Sequence, residues 1–465
     1  MNELRLTALI AILLASTVLS GQNVRISGSG KGYAGAEMRI FTLTDPITKS
    51  HKPFARVTCD NSGSFTITVP VKGTGTVIIR AGVFVFYLYV TEGREYRIKM
   101  ADYVPKPPEE EQNPFFEEVR MMPEVVSDSS DLNNLIRKFD EEYDPAYNRI
   151  ADRMAYNTKR SDIPGIIEKL NSLSNPGMPE FFTDFVKFRM IMINMVGSGE
   201  YSGRIEDSVM INREFVPGNP AYTDLIEQRF SGYFGSVLNG LYKNDFIEAV
   251  ASSSLEDLKK VILNDGKISN EEMVEYIILL NLYPAWYDRS VPSDNIMKLI
   301  SSVRSEGSSV YIRGIAAAVS ERLLSLHAGS PAHDFILKDE EGKEKSVTGF
   351  GGKYLLLSFA RSDNAAVMAE YGILNTWYKK YSANLQVVTI LTDSDFTSAF
   401  QRMRSSGYSW TMLNGSGQDL LEYLYNVKMY PSFILVGPDG KTVIGSCPYP
   451  SENLERIVAV KINPI

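Results

Sequence analysis

The spacing of apolar residues changes twice along this chain, and no single-layer fold accommodates all three patterns. Up to about Tyr103 apolar residues alternate with polar ones, as on a half-buried strand. From about Phe115 to Ala328 they recur three and four apart, as on the face of an amphipathic helix. Beyond that point, apolar strands alternate with helical stretches. At 465 residues the chain has room for about three domains of roughly 150 residues. The reading is multidomain: a small β-sandwich over 22–103, a linker over 104–114, an all-α region over 115–328 and an α/β domain over 329–465.

The opening residues MNELRLTALIAILLASTVLSGQN combine Arg5 with an apolar run from Leu6 to Leu19. That run is about 14 residues, short of the roughly 20 that span a bilayer. Val18 and Ser20 occupy small-residue positions before a cleavage point at Gly21. Residues 1–20 therefore read as a secretory signal peptide rather than an anchor. No cysteine lies at the end of the run, so a lipoprotein anchor is not supported. The expectation is a mature chain without a transmembrane anchor in an extracytoplasmic, oxidising compartment, the periplasm.

Lys and Arg number 48 and Asp and Glu 56, a formal charge of −8, which argues against a nucleic-acid partner. The excess is local: Val104 to Asp144 holds 12 acidic and 4 basic residues. That stretch reads as a solvated linker running into an exposed helix, with a dock for a basic partner as the other reading. Two cysteines, Cys59 and Cys447, and three histidines, His51, His327 and His333, are too few for a disulfide framework or a zinc centre. No metal and no cofactor is expected.

In the first segment Ser64 to Val69 alternates polar and apolar after an Asp60-Asn61-Ser62-Gly63 turn. Val77 to Arg80, Phe84 to Val90 and Tyr96 to Lys99 read as further strands. The Asp-x-x-Gly-x-Phe pattern at Asp60 to Phe65 resembles the carboxypeptidase-regulatory-like sandwiches that precede thioredoxin domains in some Gram-negative envelope proteins. Asp60 reads as a turn residue in preference to a metal ligand. Pro105, Pro107 and Pro108 stiffen the linker.

In the helical segment Leu132, Leu135, Ile136 and Phe139 share one face, as do Leu255, Leu258, Val261 and Ile262, and Met273, Tyr276, Ile277 and Leu280. Asp131 and Ser254 are candidate N-caps. Phe181, Phe182, Phe185 and Phe188 with Met190, Met192 and Met195 read as core, with an adaptable groove as the other reading. Breaks fall at Pro176, Pro217 and Pro292.

The last segment opens at Ser330-Pro331-Ala332-His333-Asp334-Phe335 and turns at Asp339 to Lys343. Leu355 to Phe359 and Leu385 to Leu391 are strands covered on both faces. Helices are expected near Ala365 to Tyr381, after a Ser394 cap, and over about Ser451 to Val460. Strands recur at Phe433 to Val436 and Thr442 to Gly445. Five features in order carry a resemblance to the thioredoxin-like redoxins, specifically their TlpA-like envelope branch. They are Pro331-x-x-Asp334-Phe335, Asp339-x-x-Gly342-Lys343, Gly352-Lys353-Tyr354, Tyr430-Pro431 and Pro438-Asp439-Gly440-Lys441. The resemblance implies a thioredoxin-like α/β fold, a cis peptide before Pro431 and a Cys-x-x-Cys motif at the start of the helix after Phe359.

That motif has no thiols here. Asn364 and Val367 fall at its two positions, and no cysteine lies between Phe359 and Tyr381. Disulfide exchange needs a thiolate, which neither residue supplies. The peroxidatic Pro-x-x-x-Thr-x-x-Cys pattern also has no counterpart between Arg361 and Met368. A helix N-terminus at Asn364 and Ala365, facing Tyr430 and Pro431, retains backbone donors for an anion or an extended peptide. Three readings stay open: an envelope protein that binds a peptide or protein partner without redox chemistry, a divergent thiol-disulfide oxidoreductase drawing on Cys447, and a structural spacer.

Overall fold

Alternation along the first strands is matched by two sheets that share a core. The computed structural model describes residues 23–155, 163–175, 177–198, 215–216, 218–288 and 291–462. The proposed signal peptide and the breaks at Pro176 and Pro217 lie outside the described residues. The described residues divide into two compact units, one drawn from 23–51, 55–105 and 118–319, the other from 52–54, 106–117 and 320–462.

In the first unit one sheet has the order β4-β1-β7-β9 and the other β3-β2-β5-β6-β8. The strands are β1 (Asn23–Ser29), β2 (Glu37–Leu43), β3 (His51–Thr58), β4 (Ser64–Pro70), β5 (Thr74–Ala81), β6 (Phe84–Thr91), β7 (Glu95–Lys99), β8 (Val119–Met121) and β9 (Glu124–Val125). On β4 Phe65, Ile67 and Val69 are buried while the intervening residues face out. They join Val24 and Ile26 of β1, Val77 and Ile79 of β5, and Phe86, Leu88 and Val90 of β6 in one core. Ile26 pairs with Ile67 across β1 and β4, so the period of two puts both on the core face. Asp60 forms the turn before β4, its carboxylate accepting from the Ser62 and Ser64 amides at 2.8 and 3.0 Å.

The helical reading begins too early. β8 and β9 lie inside the stretch taken as helical and pair with β6 and β7. Both are two or three residues long around Pro123, too short to show a period. The helices follow as α1 (Leu132–Ala155), α2 (Ile163–Asn171), α3 (Glu180–Ser198), α4 (Pro220–Phe230), α5 (Tyr233–Leu238), α6 (Lys243–Ser252), α7 (Leu255–Asn264), α8 (Glu271–Ala285), α9 (Ser293–Glu306) and α10 (Val310–Leu324). Asp131 caps α1 by accepting from the Asn133 amide at 2.9 Å, and Ser254 caps α7 by accepting from Asp257 at 3.2 Å. Each satisfies a donor that the first helical turn leaves without a partner. Phe182, Phe185, Phe188, Met190 and Met192 of α3 are buried, so this stripe is core.

In the second unit a five-stranded sheet runs β14-β13-β12-β15-β16. A short hairpin, β10 (Leu337–Lys338) with β11 (Glu344–Lys345), precedes β12 (Tyr354–Ala360), α11 (Ala365–Trp377), β13 (Leu385–Leu391), α12 (Phe396–Ser405), β14 (Thr411–Asn414), α13 (Asp419–Leu424), β15 (Ser432–Val436), β16 (Thr442–Ile444) and α14 (Leu454–Ile462). β12 is parallel to β13 and antiparallel to β15. Its residues feed two cores: Leu356 and Ala360 pack with Val367, Tyr371 and Leu374 of α11, while Leu355, Leu357 and Phe359 pack with Leu421 and Tyr425. Coverage on both faces explains the uninterrupted apolar run. Two polar residues in the sheet, Ser358 and Thr389, are fully buried. The Tyr371 hydroxyl bonds both, at 2.7 and 3.0 Å, and the Trp410 indole N–H donates to Thr389 at 2.9 Å. This network fixes α11 against the sheet and accounts for Trp410 as a structural residue. The cap of α12 is Asp395, which accepts from Ser398 at 3.1 Å, one residue beyond the expected Ser394.

Candidate functional site

Strand register brings the two predicted loops to one end of the sheet. Phe359 pairs with Ser432, so the chain leaving β12 toward Asn364 and the chain entering β15 from Tyr430 and Pro431 emerge side by side. Ligands of open α/β sheets commonly bind beyond such carboxyl ends of parallel strands. The Tyr430–Pro431 peptide is cis. Tyr430 is half-buried and its hydroxyl donates to Glu422; burial and the Glu422 carboxylate push its pKa well up.

Asn364 is the N-cap of α11, its side-chain oxygen accepting from the Val367 amide at 3.1 Å. One helix-terminal donor is thereby taken by the chain itself. Ala365 is exposed. Val367 is fully buried and packs in the sheet core, so of the two motif positions only Asn364 reaches a surface. An anion approaching the remaining backbone donors also meets the Asp363 carboxylate beside them.

The loop before α11 is held by charge. Arg361 grips Asp363 in two places, Nε to Oδ1 at 3.2 Å and Nη2 to Oδ2 at 2.9 Å. Burial alone would push the Asp363 carboxyl up, but Arg361 and the Gln112 amide outweigh it and hold it below the usual carboxylate range. The Arg361 charge also acts on Tyr430, linking the two loops electrostatically. Ser362 is 2% exposed and gives its amide and hydroxyl to Asp393, the hydroxyl at 2.7 Å. Arg402 donates to the same hydroxyl at 3.1 Å.

Sequence reasoning missed Gln112, whose side chain donates to Asp363 Oδ1 at 2.9 Å and accepts from Asn364 Nδ2. Residues 106–117 pack within the same unit as the sheet. The Gln112 contact spans 251 residues, beyond any local pattern. Arg361-x-Asp363 was the one available signal, as oppositely charged residues beside an expected helix start.

Neither cysteine is near nucleophilic form. Cys59 and Cys447 are free and buried. Burial pushes the Cys447 thiol up to about 12, and burial likewise raises that of Cys59. Among the described residues no cluster of His, Cys, Asp or Glu could hold a metal ion. A concavity of about 850 Å³ lies in the first unit and includes Tyr87, Tyr89, Arg137, Asp140, Asp144 and Arg189 in its lining. Asp140 leaves one buried oxygen without a partner there, and burial raises its carboxyl to about 7.

Residues 328–443 match the AhpC/TSA family. Over 120 residues the chain is 25% identical to thiol-disulfide oxidoreductase ResA of Bacillus subtilis, a match covering 26% of this chain and 66% of that protein. It therefore spans slightly under two thirds of that relative's length. Similar solved structures include the thioredoxin domain of a thiol-disulfide oxidoreductase from Bacteroides vulgatus, with 23% identity, a TM-score of 0.27, and coverage of 30% of this chain and 99% of that one. A thiol:disulfide interchange protein from Bacteroides sp. has 22% identity, a TM-score of 0.28, and coverage of 30% and 92%. The C-terminal region is a thioredoxin-like redoxin domain homologous to thiol-disulfide oxidoreductases. Among the described residues no helix is long and apolar enough to cross a membrane.

Proposed function

We propose that this is an exported protein of the cell envelope whose thioredoxin-like domain carries out no thiol redox chemistry. It binds a peptide or protein partner at the surface built from Asn364, Ala365, Tyr430 and Pro431. In this reading Asn364 and Val367 stand at the two positions of a lost Cys-x-x-Cys, and the N-terminal β-rich region is a carboxypeptidase-regulatory-like sandwich. The supporting observation is the start of α11, where an N-cap asparagine and a core valine stand and a nucleophile would need a thiolate. The export reading rests on the opening residues and accords with the bacterial relatives.

The competing reading, a divergent thiol-disulfide oxidoreductase, takes its weight from the names of those relatives. Its one thiol in this domain is Cys447, which packs among core residues. Insulin reduction by the full chain with dithiothreitol separates the two. The binding reading expects turnover at the level of the protein-free blank, unchanged in Cys447→Ser. Turnover well above the blank that disappears in Cys447→Ser would overturn it.

A further inference from the structure

The polar atoms at the start of α11 form a complement to a primary carboxamide. The Val367 amide only donates, so the Asn364 atom facing it is the oxygen. The Asn364 amino group is therefore turned outward as a donor. Asp363, one residue earlier, presents carboxylate oxygens that only accept, and Arg361 holds them in place. A donor and an acceptor thus stand side by side, the pair that one glutamine side chain satisfies. Gln112 does so, giving its amino group to Asp363 and taking a hydrogen bond from Asn364.

The neighbouring sequence sharpens the match. Gln112 follows Glu109, Glu110 and Glu111, and the neutral residue of this run is the one that meets a carboxylate. A glutamate at 112 would set like charges together with no proton between them. The segment is irregular apart from one 3-10 turn over Pro108–Glu110. Pro107, Pro108 and Pro114 flank the glutamine and limit what its backbone can adopt.

We propose that Asp363 and Asn364 form a carboxamide-recognition site. It selects a glutamine side chain carried on a proline-flanked peptide. The chain fills the site in cis with Gln112, so an external partner presents the same group and displaces the 106–117 segment. This rests on the binding reading above and names the class of ligand for the same surface.

Hydrogen–deuterium exchange on the full chain tests it. Gln112→Glu should speed exchange of the 110–113 amides about tenfold or more. Adding Asp363→Asn supplies a donor to the new carboxylate and should bring exchange back within about twofold of wild type. Protection of the β12 amides in both variants shows that the fold is kept. A fluorescein-labelled peptide of residues 106–117 should bind the wild type weakly, because the tethered Gln112 competes, and the Gln112→Glu chain at least tenfold more tightly. The same peptide carrying glutamate at that position should not bind. Unchanged exchange in Gln112→Glu, absence of rescue, or equal binding of the two peptides would overturn the proposal. Insulin reduction by the wild-type chain would remove the non-redox reading without altering these results. Failed exchange and peptide tests would leave an insulin blank in force.

Discussion

The start of α11 and the end of β16 divide between them what a reactive cysteine needs. At Asn364 a helix N-terminus opens onto a surface, surroundings that lower a thiol pKa, and the residue is an asparagine. At Cys447 there is a thiol, in a core that pushes its pKa up to about 12. Reactivity belongs to residue and place together, and here each place lacks one of them. The same contrast separates two carboxyls. Asp363, gripped by Arg361, is held low, whereas buried Asp140 in the other unit is raised to about 7.

Moving a thiol into the favourable place gives the largest effect. In Asn364→Cys, the introduced thiol should react with iodoacetamide at pH 7 about a thousandfold faster than Cys447, or more. An ordinary thiol is a few per cent ionised there, and one at about 12 is ionised roughly at the 10⁻⁵ level. Peptide mass spectrometry of a timed labelling reads the ratio, and comparable rates would break the comparison.

The carboxyl pair gives the next effect. A raised carboxyl means the folded state binds the extra proton, so stability falls as pH rises between the ordinary carboxylate value and about 7. Between pH 5 and 8 Asp140 should cost the first unit roughly 2–3 kcal/mol. Asp140→Asn should remove that slope, read from exchange of the α1 amides at the two pH values. A slope kept in the variant would assign it elsewhere.

Asn364→Ala should lose about 1 kcal/mol through the missing cap, seen as faster exchange in the first turn of α11. The smallest effect has the opposite pH sense from Asp140. Asp363 contributes stability above the ordinary carboxylate range and loses it as pH falls through its depressed folded value. Its side chain is 44% exposed, so solvent screening limits the contribution to under about 1 kcal/mol. Acid titration of wild type against Asp363→Asn should show that loss in wild type alone.

The sheet carrying the candidate site was legible because burial on both faces writes long apolar runs. β13 matches its expected bounds, Leu385 to Leu391, residue for residue. α11 ends at Trp377 rather than Tyr381 because its last turn tightens to a 3-10 helix over Tyr378–Tyr381. β3 left no comparable signal: it is an edge strand whose residues alternate only between half-buried and exposed, with His51 and Pro53 on the half-buried side and Phe54 on the exposed one, so its sequence does not alternate apolar with polar. The positions of Asn364 and Pro431 followed from their neighbours in sequence. Gln112 did not, because its partners lie about 250 residues away and nothing local marks one polar side chain in a proline-rich stretch. The Ser362–Asp393 pair was likewise invisible, since it depends on how the loop turns between β12 and α11.

The most direct measurement is insulin reduction by the full chain carrying Asn364→Cys with Val367→Cys, beside the wild type. The account predicts a wild type at the blank and a folded double variant with clear turnover, because the place is sound and only the thiols are missing. Turnover in the wild type, or a folded double variant as inactive as the blank, would contradict it.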